Sequence, residues 1–117
     1  MMNSFMVVGR VIKDPELLET ENGKKYLQMT LAVSRSFKNE KGEYDVDFID
    51  VTVWNYIAES VKDYTKKDDL VGVKGRLQTN YFEDRDGNKK GKLELVAEKV
   101  TFLSSRQQSK NEKAQER

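Results

Sequence analysis

The segment Phe48-Ile49-Asp50-Val51-Thr52-Val53-Trp54 alternates between two kinds of side chain with the period of a β-strand. Because successive side chains of a strand point to opposite faces, its three aliphatic residues share one face. The other face combines the rings of Phe48 and Trp54 with the carboxylate of Asp50 and a hydroxyl group. A carboxylate is rarely buried without a partner. We therefore expect the aliphatic face to line a core and the two rings to lie in water, where a flat ligand can stack on them.

The composition of the 117-residue chain bounds both its size and its chemistry. The length suits one domain with a hydrophobic core. The sequence contains neither cysteine nor histidine. Zinc sites of the usual ligand types, disulfides and catalysis by Ser-His-Asp or Cys-His groups are thereby excluded. An enzyme could act only through carboxylates, Lys, Arg or Tyr.

The distribution of charge and hydropathy bears on partners and location. A net charge of +1 provides no overall attraction to a polyanion, so a nucleic-acid ligand would have to meet a local arrangement of cations. No apolar run approaches the roughly 20 residues that a membrane-spanning helix needs. The first residues do not resemble a signal peptide. We therefore expect a cytoplasmic protein.

Five strands and one helix are predicted along the chain from alternation, helical spacing and turn residues. Asn55 is the predicted N-cap of the helix, and Asn22-Gly23 and Asp86-Gly87 are predicted turns. The predicted strands are Met6–Ile12, Tyr26–Arg35, Phe48–Trp54, Leu70–Phe82 and Gly91–Leu103, with the helix Tyr56–Lys66 between the third and the fourth.

This order of elements is typical of the five-stranded Greek-key barrel of the OB type, so we predict an all-β OB-fold with one helix. Closing such a barrel requires tight bends, for which Gly9 and Gly75 are candidates. A β-sandwich is the alternative, but the single central helix argues against it.

The fourth and fifth predicted strands alternate between inward and outward side chains, as the third does. In the fourth strand, Lys74, Arg76 and Phe82 share the outward face. Tyr81 falls on the inward parity and is predicted to be structural, although a bulge near the strand end would reverse that. The residues of the fifth strand that are predicted to face inward are Leu93, Leu95 and Ala97.

Two outward faces therefore carry aromatic rings together with cations. This arrangement binds single-stranded nucleic acid with little regard for sequence, and each stacked base contributes about 1–3 kcal/mol. Duplex DNA keeps its base faces occupied, so the same surface should discriminate against it. The predicted phosphate contacts are Arg10, Arg35, Lys74 and Arg76.

Two other classes of function stay open. A magnesium-dependent nuclease would use closely spaced carboxylates, but no recognisable ligand spacing supports one, and acidic residues are common in turns. A protein-interaction OB module would use the exposed rings against another chain. Nucleic-acid binding weakens steeply with salt, whereas an aromatic protein interface does not. The carboxylates that a nuclease would use are Asp45, Asp47, Asp50, Asp84 and Asp86.

Longer stretches of the chain also carry a family resemblance, in order and without large gaps from Met1 to about Leu103. The stretches are Met6-Val7-Val8-Gly9-Arg10 with Asp14-Pro15-Glu16-Leu17, Leu31-Ala32-Val33-Ser34-Arg35-Ser36-Phe37-Lys38, Val53-Trp54 and Val71-Gly72-Val73-Lys74-Gly75-Arg76-Leu77. Together they strongly resemble bacterial single-stranded DNA-binding protein. Each motif is modest by itself, and their order and spacing make the resemblance specific.

The resemblance implies an OB fold, a homotetramer and the wrapping of single-stranded DNA during replication, repair and recombination. It also implies base stacking at four aromatic positions, one of which, Phe37, parity alone does not assign. The four are Phe37, Phe48, Trp54 and Phe82. We therefore predict a non-enzymatic single-stranded DNA-binding protein with no catalytic residues, metal or cofactor, located in the cytoplasm at the nucleoid.

The end of the chain departs from the family pattern. Typical members continue through a long linker rich in Gly, Pro and Gln to an acidic tip that recruits DNA-processing enzymes. Residues 104–117 are instead short, mixed in charge and slightly basic, with one Ala and no larger apolar residue. We expect an OB domain over residues 1–103 and a disordered polar tail over 104–117, and we do not expect that tail to recruit such enzymes.

Overall fold

The computed structural model describes residues 1–104, in which six strands and one helix follow one another. The five predicted strands and the helix are present in the predicted order. A two-residue strand that the sequence pattern did not indicate is added before the second of them. The elements are β1 (Phe5–Val11), β2 (Leu18–Glu19), β3 (Lys25–Lys38), β4 (Tyr44–Trp54), α1 (Asn55–Tyr64), β5 (Leu70–Glu83) and β6 (Lys89–Ser104).

The strands form one closed barrel. Their order in the sheet is β1-β5-β6-β4-β3-β2, and β1 closes the barrel by pairing with β3 as well, where Arg10 lies opposite Ala32. Neighbouring strands are antiparallel except β4 and β6, which run parallel where Thr52 pairs with Val96. With its helix between β4 and β5, this is the predicted OB-fold, and the sandwich alternative is wrong.

The barrel interior is built by the residues whose alternation predicted it. Val51 and Val53 of β4 are buried, and Ile49 is partly buried against the same cluster. From β3 the core receives Leu27, Met29 and Leu31. The helix α1 adds Ala58 and Val61 and contacts β3, β4 and β6. The aliphatic face predicted for residues 48–54 is therefore confirmed.

Three hairpin turns share one design, and two of them are the turns predicted at Asn22-Gly23 and Asp86-Gly87. In each, the glycine N–H donates to the carbonyl of the first turn residue, and the first turn residue's N–H donates to the carbonyl of the fifth. The first residue's side-chain oxygen accepts a backbone N–H within the turn. The glycine has φ near +80°, which a residue with a side chain rarely adopts. The turns are 20–24, 39–43 and 84–88.

The start of α1 differs from the prediction. Asn55 is not the N-cap: it is the first residue of the helix and has φ +58°, and the N-cap position is Trp54, without a side-chain cap hydrogen bond. Asn is among the few residues that tolerate a left-handed backbone, so it forms the corner between β4 and α1. The helix ends at Tyr64 instead of Lys66, because Thr65 turns away while its N–H still donates to the carbonyl of Val61.

Three parity predictions were wrong. Leu93 and Tyr81, predicted inward, are 60% and 64% exposed, because the end of the β5–β6 hairpin nearest its turn, beyond the pairing of Leu95 with β4, extends as a two-stranded ribbon. Thr52, predicted outward, is buried where the β5–β6 strands pass beside it. In contrast, Ala97 is buried as predicted, and Leu95 packs against the core.

The ends of the described region bear on two further expectations. Ser104, assigned to the tail by the sequence, is the last residue of β6. The disorder and the role expected for the rest of the tail, residues 105–117, lie outside the described residues. Within residues 1–104, no helix is long and apolar enough to cross a membrane.

Gly75 should be among the least replaceable residues of the barrel. A Cβ there would overlap the carbonyl oxygen of Val96 and lie 2.8 Å from Cε1 of Phe5, whereas a Cβ at Gly72 of the same strand would make only ordinary contacts at 3.7 Å. We predict that Gly75→Ala lowers the free energy of unfolding by about 1–3 kcal/mol through overpacking. Gly72→Ala is the matched control and should change it little. Denaturant unfolding measures both, and equal effects would contradict the close approach at Gly75.

Candidate nucleic-acid interface

Trp54 is held at the end of β4 by an aromatic partner. It lies directly opposite Tyr26 of β3, with ring centroids 5.2 Å apart and an interplanar angle of 33°. The indole is therefore half-buried, supported by Tyr26, and its remaining surface lines a groove of about 680 Å³. Arg76 of β5 lines the same groove. A predicted stacking residue and a predicted phosphate contact thus meet in one site.

Phe48 lies on the same face of β4, nearer the β3–β4 turn. Its ring is 67% exposed, and the residue paired with it across the sheet is the small Ala32. Six residues of strand separate it from Trp54, or about 20 Å at the usual rise. Between them, the carboxylate of Asp50 accepts a hydrogen bond from the hydroxyl of Thr30. The exposure predicted for Phe48 and Asp50 is confirmed.

The outer face of β5 carries a ladder of polar side chains. Arg76 Nη2 donates to Gln78 Oε1 at 3.2 Å, and Gln78 Nε2 donates to Glu94 Oε2 of β6 at 3.2 Å. The amide of Asn80 also donates to Glu94. The ladder leads from the groove toward Phe82, which is 51% exposed. These contacts fix the conformation of the face on which Arg76 and Phe82 lie.

Phe37 lies at the end of β3 and is 63% exposed. The register of β3 with β4 shifts between the pair of Ser34 with Val46 and the pair of Lys38 with Tyr44. Three residues on β3 therefore face one on β4, and the alternation of faces is lost. This bulge explains why parity did not assign Phe37 to either face.

The four predicted phosphate contacts have different surroundings. Arg35 is already paired: its Nε and Nη2 donate to the two carboxylate oxygens of Asp47, each at 3.0 Å, and Asp45 lies 3.7 Å from Nη1. Arg10 donates from Nη1 to the carbonyl oxygen of Asp68 at 3.1 Å. Neither Lys74 nor Arg76 has an ion pair within residues 1–104.

Lys74 and Arg76 line different grooves although they have the same parity. Lys74 lines a groove beside Met6 and Val8 of β1, whereas Arg76 lines the groove of Trp54. Gly75 follows Lys74 at a register shift, where β6 carries one extra residue, Glu98. The barrel therefore brings Arg76 to the aromatic site and leaves Lys74 apart from it.

Sequence reasoning missed Tyr26 and Tyr56. Tyr26 lies opposite Trp54, and Tyr56 of α1 lines the groove and is 77% exposed. Pairing β3 with β4 outward from the turn at 39–43 would have put Tyr26 two residues out of register, because the register shifts between Ser34 and Lys38. No local pattern indicates that Tyr56 shares a groove with Trp54. Their shared position depends on the left-handed backbone of Asn55, which turns the chain between them.

Four of the five carboxylates that a nuclease would use are engaged in other contacts. Asp45 and Asp47 pair with Arg35, Asp50 accepts from Thr30, and Asp84 accepts backbone N–H groups of its own turn. In the part of the chain that the structure describes, no three His, Cys, Asp or Glu side chains are grouped so that they could hold a metal ion.

The closed barrel and its exposed rings beside cations define an OB-fold protein with the kind of surface that single-stranded nucleic acids bind. The sequence model of the single-strand binding protein family matches residues 2–103. The chain therefore belongs to the single-strand binding protein family.

Individual relatives agree with this assignment. The chain is 47% identical to a single-stranded DNA-binding protein of Bacillus cereus, over 91% of this chain and 62% of the relative. It is 49% identical to single-stranded DNA-binding protein 3 of Listeria innocua, over 92% and 67% of the two chains. For single-stranded DNA-binding protein 2 of Staphylococcus aureus strain Mu50 the identity is 48%, over 88% and 73%. The chain thus spans somewhat under two thirds of the length of the Bacillus cereus relative.

The pairing of Arg35 with Asp47 predicts a pH dependence. The hydrogen bond from Arg35 lowers the pKa of Asp47 below its ordinary value of about 3.9. Because the folded value lies below the unfolded one, the pair stabilises the fold above the unfolded pKa, and this stabilisation is lost as pH falls through the folded pKa. We predict that wild type has a higher Tm than Arg35→Gln at neutral pH. This difference should disappear when the pH falls below the folded pKa of Asp47.

Carbon-detected NMR titration of the Asp47 carboxyl group measures this pKa directly. The midpoint should lie below the ordinary aspartate value in the wild type and return toward it in Arg35→Gln. The same midpoint in both proteins would show that the ion pair does not form in solution.

Proposed function

We propose that this protein binds single-stranded DNA with little sequence preference, by stacking bases on aromatic side chains and neutralising phosphates with Arg and Lys. The observation that carries the proposal is the groove that Arg76 lines together with Trp54, whose ring packs on Tyr26. An aromatic ring beside a cation matches the alternation of base and phosphate along a single strand. Phe37, Phe48 and Phe82 add exposed rings on the ends of the β3–β4 and β5–β6 hairpins.

The surroundings of the cations rank their contributions. Arg76 and Lys74 have no ion pair within residues 1–104, so a phosphate would not have to displace a carboxylate from either of them. Arg35 would have to leave Asp47, or bind phosphate while Asp47 and Asp45 repel it. Arg76 should therefore contribute more to the salt dependence of binding than Arg35 does, whereas Lys74 lies in the groove of Met6 and Val8, apart from the aromatic site.

The proposal includes the cellular setting and the chemistry that the family resemblance implies. Single strands appear during replication, repair and recombination, and a protein that stacks exposed bases would protect them there, in the cytoplasm at the nucleoid. The bound strand is held and not cleaved, so the activity is non-enzymatic and uses no cofactor.

Removing the rings of β4 should weaken binding by roughly the stacking contribution. We predict that Phe48→Ala and Trp54→Ala each reduce the affinity for oligo-dT by about 1–3 kcal/mol, as measured by fluorescence anisotropy of a labelled strand. Titration of the single tryptophan with unlabelled oligo-dT should quench its fluorescence strongly in the wild type. A blunt duplex of the same length is the control and should bind far more weakly.

Unchanged affinity in the Phe48/Trp54 double variant would contradict the stacking assignment. The salt dependence separates the remaining alternative, in which the exposed rings bind another protein. For DNA, the logarithm of the binding constant falls linearly with the logarithm of the salt concentration. Absence of both quenching and salt dependence would favour the protein-interaction function.

We also propose that the protein acts as a homotetramer around which the strand wraps. Exposed apolar side chains on β1 support this, because Met6 and Val8 are 78% and 54% exposed and lie together beside Gly72. Such side chains are typical of a surface that another subunit covers. Light scattering should give the mass of a tetramer, and that tetramer should compact a long single strand. A monomer at all accessible concentrations would contradict the assembly.

A further inference from the structure

The groove at Trp54 has walls from three parts of the chain. They are the turn between β2 and β3, the corner from Trp54 into the start of α1, and the β5–β6 pair around Arg76 and Ala97. Its volume of about 680 Å³ lies within the range of sites that hold a small molecule, and it is larger than a flat stacking platform needs. The lining residues that matter here are Asn22, Lys24, Trp54, Tyr56, Arg76 and Glu98.

Two aromatic side chains reach this groove because the chain reverses between them. Asn55 adopts φ +58°, so β4 ends at Trp54 and α1 leaves in a new direction from Tyr56. Trp54 is held from one side by Tyr26, whereas Tyr56 is 77% exposed. One ring is therefore fixed, and the other can adjust to an occupant.

The charges in the groove suit a nucleotide. Lys24 lies on one wall and Arg76 on another, and neither has an ion pair within residues 1–104. The next residue, Lys25, differs, because its Nζ lies 2.8 Å from Oε1 of Glu59. The amide of Asn22 and the carboxylate of Glu98 add groups that can hydrogen-bond a base edge.

We propose that this groove is a nucleotide-binding pocket of the single-strand path. One base stacks on Trp54 and is covered by Tyr56, and the flanking phosphates are bound by Lys24 and Arg76. This inference rests on the proposed function and assigns to Tyr56 and Lys24 roles in binding that a flat stacking surface would not require. It also predicts that the β2–β3 turn and the start of α1 belong to the DNA-binding surface.

Two tyrosines of α1 provide a matched test. Tyr56 lines the groove, whereas Tyr64, two turns later and similarly exposed, packs near Phe102 on another side. Leucine keeps apolar bulk and removes the aromatic face. We expect Tyr56→Leu to reduce oligo-dT affinity by about fivefold or more, which corresponds to the lower limit of the free energy that one stacked base contributes. Tyr64→Leu should stay within about twofold, and Trp54 fluorescence quenching reports occupancy of the groove in both.

Adjacent lysines provide a second test that does not depend on stacking. The logarithm of the binding constant falls linearly with the logarithm of the salt concentration, with a slope set by the number of phosphate contacts. Lys24→Gln should make this slope less steep by about the contribution of one contact. Lys25→Gln removes the same charge from the neighbouring residue, which is held by Glu59, and should leave the slope unchanged. Thermal unfolding of each variant verifies that the fold is retained.

The outcomes distinguish this inference from the function on which it rests. If wild-type protein neither binds oligo-dT nor shows quenching, the proposed function fails and the pocket fails with it. If wild-type protein binds with quenching, but the two tyrosine variants are alike and the two lysine variants are alike, only the pocket is overturned. Selective loss at Tyr56 and Lys24 supports it.

Discussion

The close approach of the β5 backbone at Gly75 to the β6 backbone at Val96 is the constraint on which the rest of this structure depends. The backbone of Val96 occupies the place where a side chain at Gly75 would begin, and Phe5 of β1 covers the same point. Gly9 plays the matching part on β1, where a Cβ would lie 2.7 Å from the carbonyl oxygen of Ala32. Strands can approach this closely only where a side chain is missing. The contact at Gly9 lies at the seam between β1 and β3, where the barrel closes.

Closure of the sheet then determines the candidate site. Once the barrel closes, β6 lies beside β4 near Thr52, and Arg76 on β5 is carried to the side of the barrel that Trp54 occupies. Lys74, on the other side of Gly75, lines a different groove. The chain has almost no net charge, so its interaction with a polyanion depends on which cations lack carboxylate partners. Arg35 is paired with two carboxylates, and Arg76 is not.

Much of the fold could be predicted because the relevant signals are local. Alternation placed Val51 and Val53 in the core, and glycine after Asn22 and Asp86 marked two turns. Alternation left Phe37 unassigned, and a bulge interrupts β3 just there. It failed at Leu93, on the part of the hairpin that extends as a two-stranded ribbon. A bulge or the end of a third strand depends on residues far away along the chain, which a local pattern does not contain.

The sequence by itself determined the element order, the core face of β4 and the exposure of Phe48, because strand periodicity and turn chemistry act over a few residues. Only the tertiary structure decided that Tyr26 supports Trp54, that Asp47 engages Arg35, and that Tyr56 and Arg76 share one groove. These contacts join side chains through strand register and a left-handed corner at Asn55. Register is a property of paired strands, so it exists only once the barrel has formed.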